Sequence, residues 1–304
     1  MNTAPPQGIG LWIAGARPRT LGAAIAPVLV GTGAAIGADG DAFVWWRALA
    51  ALVVALALQI GVNYANDYSD GVRGTDRDRR GPIRLTASGL AAPAAVRRAA
   101  IRSFAVAAVV GLVLSLVVNP WLLLVGAAAI AAGAFYTGGP KPYGYIGLGE
   151  LVVLAFFGFV ATAGSAYVQL ERVPATAWWG SLAVGLLACA ILLANNVRDI
   201  ETDRVAGKRT LAVRLGHRPA RALYVGCLVG SFVSVLLVAV AAGAPYPLAA
   251  LVAVPLAVRP ARLVWTRDDP PSLVANRRST GDAGLSFGQG KIRLRGVSAK
   301  SLGT

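Results

Sequence analysis

Long stretches of apolar residues without a single charged side chain recur from one end of this 304-residue chain to the other. The stretch 48–62 is one example, and several others are long enough to cross, or nearly cross, the hydrocarbon core of a bilayer, which is about 30 Å thick. Charged residues make up only 14% of the chain, whereas a soluble domain has about a quarter. The sequence therefore predicts an all-α, polytopic membrane protein.

Eight apolar stretches predict a bundle of about eight transmembrane helices, the last of them short. They lie near residues 20–37, 46–66, 99–118, 121–137, 148–168, 178–197, 221–242 and 246–260. Gly and Ala are abundant in these stretches and let helices approach closely in lipid, which favours a tight bundle. No apolar run able to span follows Asp269, so we expect a membrane domain over 1–262 and a polar, disordered tail over 263–304.

Basic residues concentrate in alternate loops, with clusters at 73–98 and 204–221. The net charge of +15 is then explained by the positive-inside rule, so we interpret it as membrane orientation and expect no nucleic-acid partner. Trp45, Trp121 and Trp178 begin helices on the opposite side, as an aromatic belt requires. The pattern predicts a protein of the cell (inner) membrane, with its amino terminus, basic loops and tail in the cytoplasm.

Two of the predicted helices end in amide and carboxylate side chains on the same side of the membrane. One end carries Asn and Asp at i, i+4 and i+7, and the other at i, i+4 and i+8, so each set follows one helix face. These residues are Asn63, Asp67, Asp70, Asn195, Asp199 and Asp203. Carboxylates gathered at a membrane boundary repel one another, and a bound divalent cation removes that penalty. Mg²⁺ fits this pattern because it is commonly held by a few carboxylates together with substrate phosphates.

Basic and aromatic side chains accompany both acidic helix ends. Those closest in sequence are Arg73, Arg79, Arg84 and Lys208, and a third loop on the same side adds Tyr136, Lys141, Tyr143, Tyr145 and Glu150. Guanidinium and ammonium groups beside metal-binding carboxylates are typical of a diphosphate site. The ring faces of the tyrosines are suited to stabilising a carbocation, and Lys141 to binding phosphate.

Three other interpretations fit part of this pattern. Charged loops usually form a solvated surface, but two loops with similar Asn and Asp spacing on one side of the membrane favour a site. A CDP-alcohol phosphotransferase also uses clustered aspartates, and "DYSDG" matches the start of its D-x-x-D-G motif, although the rest of that motif does not follow. A cation transporter would carry acidic residues at mid-membrane depth, whereas these lie at helix ends.

Four motifs in order resemble the menaquinone branch of the UbiA superfamily, the 1,4-dihydroxy-2-naphthoate polyprenyltransferases. They read "NYANDYSDGVRGTD", "RRGPIR", "YTGGPKPYGYIGLGE" and "NNVRDIETDRVAGKRTLAVRLG". The resemblance implies a helical membrane enzyme with a central cavity. Family members typically have nine transmembrane helices, whereas this sequence predicts eight.

The resemblance also implies a reaction and a set of site residues. A polyprenyl group would pass from polyprenyl diphosphate to 1,4-dihydroxy-2-naphthoate, with loss of CO2 and diphosphate; 4-hydroxybenzoate is the alternative acceptor.

The implied Mg²⁺ ligands are Asp67, Asp70, Asp76, Asp199 and Asp203. The implied catalytic residues are Asp67, Asp70, Asp199, Asp203, Tyr136 and Lys141. The implied substrate-binding residues are Asn63, Asn66, Arg73, Arg79, Arg84, Tyr143, Asn195, Asn196 and Lys208. Asp76 stands in for a third aspartate of the first motif, whose usual place is taken by Gly74.

Overall fold

A computed structural model of the protein describes residues 7–75 and 83–266, and every regular element in these two ranges is a helix. The all-α prediction is therefore confirmed. The helices are α1 (Ile9–Ala16), α2 (Pro18–Ala38), α3 (Trp45–Arg73), α4 (Pro93–Val117), α5 (Leu122–Phe135), α6 (Gly149–Leu170), α7 (Ala175–Arg198), α8 (Ile200–Val205), α9 (Leu211–Leu215), α10 (His217–Ala242) and α11 (Tyr246–Thr266). Short 3₁₀ turns occupy Gly40–Ala42 and Tyr143–Ile146.

Seven of the helices in the described ranges are long and apolar enough to cross a membrane, namely α2, α3, α4, α6, α7, α10 and α11. They coincide with seven of the eight predicted stretches. The remaining stretch, predicted over 121–137, forms only the 14-residue helix α5, which is about 21 Å long. Its apolar run is interrupted by Pro120 before it and by the glycine pair that begins at Gly138, so the helix stops short of a full span.

Helix α3 continues beyond its apolar part. The apolar stretch ends near residue 66, and the helix continues through Asp67 and Asp70, as their spacing predicted, to Arg73, where Gly74 takes a left-handed conformation with φ of 72° and closes the helix. These last turns carry polar side chains. Asn66, Asp67 and Asp70 are nevertheless buried there, so other segments of the chain must cover them.

Glycines permit the closest helix contacts of the bundle. A Cβ atom added to Gly31 of α2 would lie 2.0 Å from the carbonyl oxygen of Thr162 in α6. One added to Gly158 of α6 would lie 2.9 Å from the Cα of Gly185 in α7. The backbones of α2, α6 and α7 therefore meet almost directly, as small residues allow in membrane bundles.

The middle of α6 is π-helical over Leu154–Ala163. Polar contacts hold the helix on both sides of this stretch. At one end the amide of Asn196 donates to Glu150 Oε1 at 2.8 Å, and at the other the backbone N–H of Val44 donates to Gln169 Oε1 at 2.8 Å. Wide π turns are frequent at functional sites, and here they carry aromatic side chains that face the interior of the bundle.

The predicted domain boundary falls within α11. The first four residues of the predicted tail, 263–266, are the end of that helix. The rest of the predicted tail lies outside the described residues, so its predicted disorder stays a prediction.

The Gly31 contact leads to a stability prediction with a matched control on the same helix. Gly33 is exposed, and a Cβ added to it would meet no atom within 4 Å. We expect Gly31→Ala to lower the free energy of unfolding by about 1–3 kcal/mol, because the backbones of α2 and α6 must separate. Gly33→Ala should be neutral or slightly stabilising, since alanine is the better helix former. Thermal unfolding of the two purified variants in detergent tests this, and equal midpoints would contradict it.

Candidate active site

A cavity of about 440 Å³ lies between the helices. Along α3 it is lined from Ala51 to Asp70, a distance of about 28 Å. Apolar side chains such as Val54, Leu114 and Phe156 line most of it, whereas polar and charged groups gather at the end near Asp70. The cavity therefore offers a charged head region and a long apolar channel.

The two acidic helix ends both reach this head region. Asp70 of α3 and Asp203 of α8 line the cavity and are 2% and 8% exposed. Lys208 connects them, because its Nζ lies 3.4 Å from Asp70 Oδ1 while its backbone N–H donates to the carbonyl of Asp203 at 2.8 Å. Helix α7 ends at Arg198 and α8 begins at Ile200. The chain therefore turns at Asp199, and this turn carries Asp203 to the cavity.

Asp70 is contacted by three side chains from three different segments. The hydroxyl of Tyr145 donates to its Oδ1, the ammonium of Lys208 pairs with the same oxygen, and Nη2 of Arg84 lies 3.7 Å from Oδ2. Burial raises the pKa of the Tyr145 hydroxyl, and the nearby carboxylate of Asp70 raises it further. Tyr145 therefore stays protonated and can keep donating to the carboxylate.

Tyr145 was predicted as one of the tyrosines of this loop but was not among the implied site residues. Its ring is flanked by two cations, with Lys208 Nζ 4.7 Å and the guanidinium carbon of Arg73 5.5 Å from the ring centroid. Such cation–π contacts fix the direction in which the charged groups point. The sequence offers one signal for a separate role of Tyr145, namely its distance of two residues from Tyr143. A 3₁₀ turn has three residues per turn, so two side chains so spaced point in different directions.

The aromatic rings of Tyr136 and Tyr143 lie next to each other at the cavity. Their rings meet edge to face, with centroids 5.5 Å apart, and both residues line the cavity. The hydroxyl of Tyr143 donates to the carbonyl of Ala132 at 2.6 Å, and burial raises its pKa. Both rings are therefore held in place by neighbours before any ligand binds.

Most of the predicted substrate-binding residues line the same cavity. This group consists of Asn63, Asn66, Arg84, Tyr143, Asn195, Asn196 and Lys208. Several are oriented by hydrogen bonds: Thr137 donates to Asn66 Oδ1 at 2.8 Å, and Asn63 donates to Thr20 Oγ1 at 2.9 Å. The spacing of the two polar helix ends thus located a real cluster of polar groups.

Four other predicted site residues are not among those that line the cavity. Both carboxylate oxygens of Asp67 accept backbone N–H groups, and the carboxylate of Asp199 is bonded by the guanidinium of Arg198 at 2.7 and 2.8 Å. Arg73 donates to the carbonyls of Thr137 and Gly139. Lys141 is exposed, between two prolines that limit how its turn can fold. The other two predicted site residues, Asp76 and Arg79, lie outside the described residues.

Comparison with solved structures identifies the fold. An Archaeoglobus fulgidus protein described as a UbiA homolog bound to GPP and Mg²⁺ superposes with a TM-score of 0.63 at 16% identity, over 91% of this chain and 97% of that one. A UbiA homolog from Aeropyrum pernix superposes with a TM-score of 0.58 at 18% identity, over 87% and 91%. At these identities the likeness concerns the fold alone.

Sequence comparison identifies the family. A Mycobacterium tuberculosis protein named 1,4-dihydroxy-2-naphthoate octaprenyltransferase is 53% identical over 90% of this chain and 92% of its own length. An Escherichia coli protein of the same name is 39% identical over 86% and 87%. The UbiA prenyltransferase family profile matches residues 24–277. The motifs predicted this family correctly, and the chain belongs to the UbiA prenyltransferase family.

Proposed function

We propose that this chain transfers a polyprenyl group from polyprenyl diphosphate to 1,4-dihydroxy-2-naphthoate, with loss of CO2 and diphosphate, to give the menaquinone precursor demethylmenaquinone in its reduced, quinol form. The names of its relatives support this choice of acceptor. The observation that carries the proposal is the cavity itself, which extends about 28 Å along α3, with Asp70, Asp203 and Lys208 at one end and mostly apolar side chains along the rest. A prenyl diphosphate has the same division between a charged head and a long hydrocarbon tail.

The donors at the head of the cavity fit Mg²⁺. Asp70 and Asp203 supply carboxylate oxygens, and Asn66 and Asn196 supply amide oxygens, all of them hard ligands. Among the described residues no three acidic, His or Cys side chains converge, which is compatible with a cation that takes one or two carboxylates and completes its shell with water and phosphate. The carboxylate of Asp199 is bonded by the Arg198 guanidinium and does not line this cavity. When bound, the metal would supply charge neutralisation of the diphosphate.

The cationic side chains of the head region would hold the diphosphate. Lys208 and Arg84 already line the cavity beside Asp70, so an incoming diphosphate meets two cations there. Tyr145 keeps Lys208 in place through its ring face. These groups stabilise the negative charge that develops as the allylic C–O bond breaks.

The apolar channel would hold the polyprenyl tail and keep water away from the allylic cation. Tyr136 and Tyr143 line the cavity, and their rings would stabilise the allylic cation because aromatic faces attract cations. The electron-rich naphthoate ring then attacks the cation at the carbon that bears its carboxylate, and this carboxylate leaves as CO2. Exclusion of water prevents capture of the cation as an alcohol.

We also propose which side of the membrane the head region faces. The charged head region lies at the ends of α3 and α7, next to the basic clusters at 73–98 and 204–221. Since basic loops remain in the cytoplasm, we place the head region on the cytoplasmic side of the cell membrane. The diphosphate and the naphthoate would then enter from the cytoplasm.

The reaction and the two acidic positions can be tested together. Membranes that carry the protein are incubated with dihydroxynaphthoate, a polyprenyl diphosphate and Mg²⁺, and demethylmenaquinone is measured. We expect Asp70→Asn and Asp203→Asn each to reduce product formation by about 10²–10³-fold, as when a transition-state charge contact is lost. Glu201→Gln, on the exposed face of α8 two residues from Asp203, should have no effect.

Two results would contradict the proposal. Turnover of 4-hydroxybenzoate in place of dihydroxynaphthoate would change the acceptor. Full activity of both aspartate variants would place the reaction somewhere other than the head region.

The role of Lys208 gives a second prediction. Lys208→Ala removes a buried cation beside Asp70, and we expect kcat/KM for the polyprenyl diphosphate to fall by about 10- to 100-fold, the effect of one charge-assisted hydrogen bond. Arg204→Ala removes an equal charge four residues earlier, from an exposed pair with Glu201. It should alter kcat/KM by less than about twofold. Equal losses in both variants would mean that only the overall charge of this segment matters.

A further inference from the structure

Asp67 is fully buried, and its carboxylate bonds to a distant turn of the chain. Its Oδ2 accepts the backbone N–H of Leu85 at 2.7 Å, and its Oδ1 accepts that of Thr86 at 2.9 Å. The residue is 0% exposed and is not among those that line the cavity. Both oxygens therefore serve backbone amides 18 and 19 residues further along the chain.

The turn that receives these bonds is fixed by further contacts. Within it, Ser88 N–H donates to the carbonyl of Arg84 and Gly89 N–H to that of Thr86. The side chain of Leu85 is 0% exposed and packs in a cluster with Tyr64. The turn is thus held to α3 by a buried apolar side chain on one side and by the Asp67 carboxylate on the other.

Arg84 is the residue before the two anchored amides, and its side chain extends toward the cavity. It lines the cavity, its side chain is 10% exposed, and its Nη2 lies 3.7 Å from Asp70 Oδ2. A shift of the backbone at Leu85 would therefore move this guanidinium relative to the head region. Asp67 and Asp70 are three residues apart on the same helix, yet one bonds to the turn and the other faces the cavity.

We propose that Asp67 is a positioning residue rather than a metal ligand: it fixes the turn 84–89 so that Arg84 reaches the diphosphate beside Asp70. This inference rests on the proposed prenyl transfer, and it replaces the metal-ligand role that spacing predicted for Asp67. A carboxylate is suited to the task because both of its oxygens accept hydrogen bonds. Asparagine at this position would offer one acceptor and direct an N–H group at a backbone N–H.

Hydrogen exchange tests the anchor without any catalysis. In the full-length protein in nanodiscs, we expect Asp67→Asn to accelerate amide exchange in the peptide that covers 83–91, because two hydrogen bonds to that turn weaken. Glu201→Gln, on the exposed face of α8, should leave exchange in that peptide unchanged. Unchanged exchange in Asp67→Asn would overturn the proposal.

Steady-state kinetics test whether the anchor acts through Arg84. We expect Asp67→Asn to raise KM for the polyprenyl diphosphate by about tenfold, with the Mg²⁺ concentration for half-maximal rate unchanged, whereas Asp70→Asn should shift that Mg²⁺ concentration. Combined with Arg84→Ala, Asp67→Asn should cause little further loss, since the two substitutions act on one interaction. A Mg²⁺ shift in Asp67→Asn, or additive losses in the double variant, would overturn the proposal.

The anchor can also be tested in the wild-type protein, so that the result does not require any variant to fold. Exchange in peptide 83–91 is compared with and without Mg²⁺; protection that Mg²⁺ leaves unchanged supports the anchor. Loss of protection on addition of Mg²⁺ would overturn it, because the carboxylate would have left the amides for the metal. A wild-type protein that shows this protection but no prenyl transfer would instead refute the proposed function while leaving the anchor in place.

Discussion

The carboxylate of Asp70 joins segments that are far apart in the chain. Tyr145 comes from the turn before α6, Arg84 from the turn after α3, and Lys208 from the segment after α8, and each contacts this one side chain. A buried carboxylate without such partners would be strongly unfavourable, so the three contacts stabilise its charge. The same contacts bring together the cations that a diphosphate needs. The stability of the head region and its capacity to bind phosphate therefore have one physical origin.

The rest of the bundle is arranged around this charged end. Glycines at positions 31, 158 and 185 let α2, α6 and α7 touch through their backbones, which leaves the larger side chains to line the channel. Phe156, Phe157 and Val160 of the π-helical stretch belong to that lining. Close packing on one side of α6 and an open channel on the other thus follow from the distribution of small and large residues along the same helix.

The sequence alone predicted the features that depend on local pattern. Apolar runs located the helices, and helical spacing placed Asn63 and Asp70 on one cavity wall, because periodicity is a property of neighbouring residues. It did not separate Asp67 from Asp70, since their difference comes from a turn 18 residues away that covers one and not the other. Tyr145 was left out of the implied site residues for a similar reason, because a 3₁₀ turn decides which of two tyrosines meets the carboxylate. The shortness of α5 was also missed, since hydrophobicity does not report where glycines end a helix.

The π-helical stretch of α6 has a consequence for how this helix can change. Its wide turns determine the angle about the helix axis between Glu150 and Gln169. Glu150 accepts a hydrogen bond from Asn196, and Gln169 accepts one from Val44. Removal of one residue between them would turn one end by about 100° relative to the other and point one of these side chains away from its partner. Conservative exchanges of side chains within the stretch leave that rotation intact. The number of residues in this helix is therefore more tightly constrained than their identity, so insertions and deletions should be tolerated less well than substitutions.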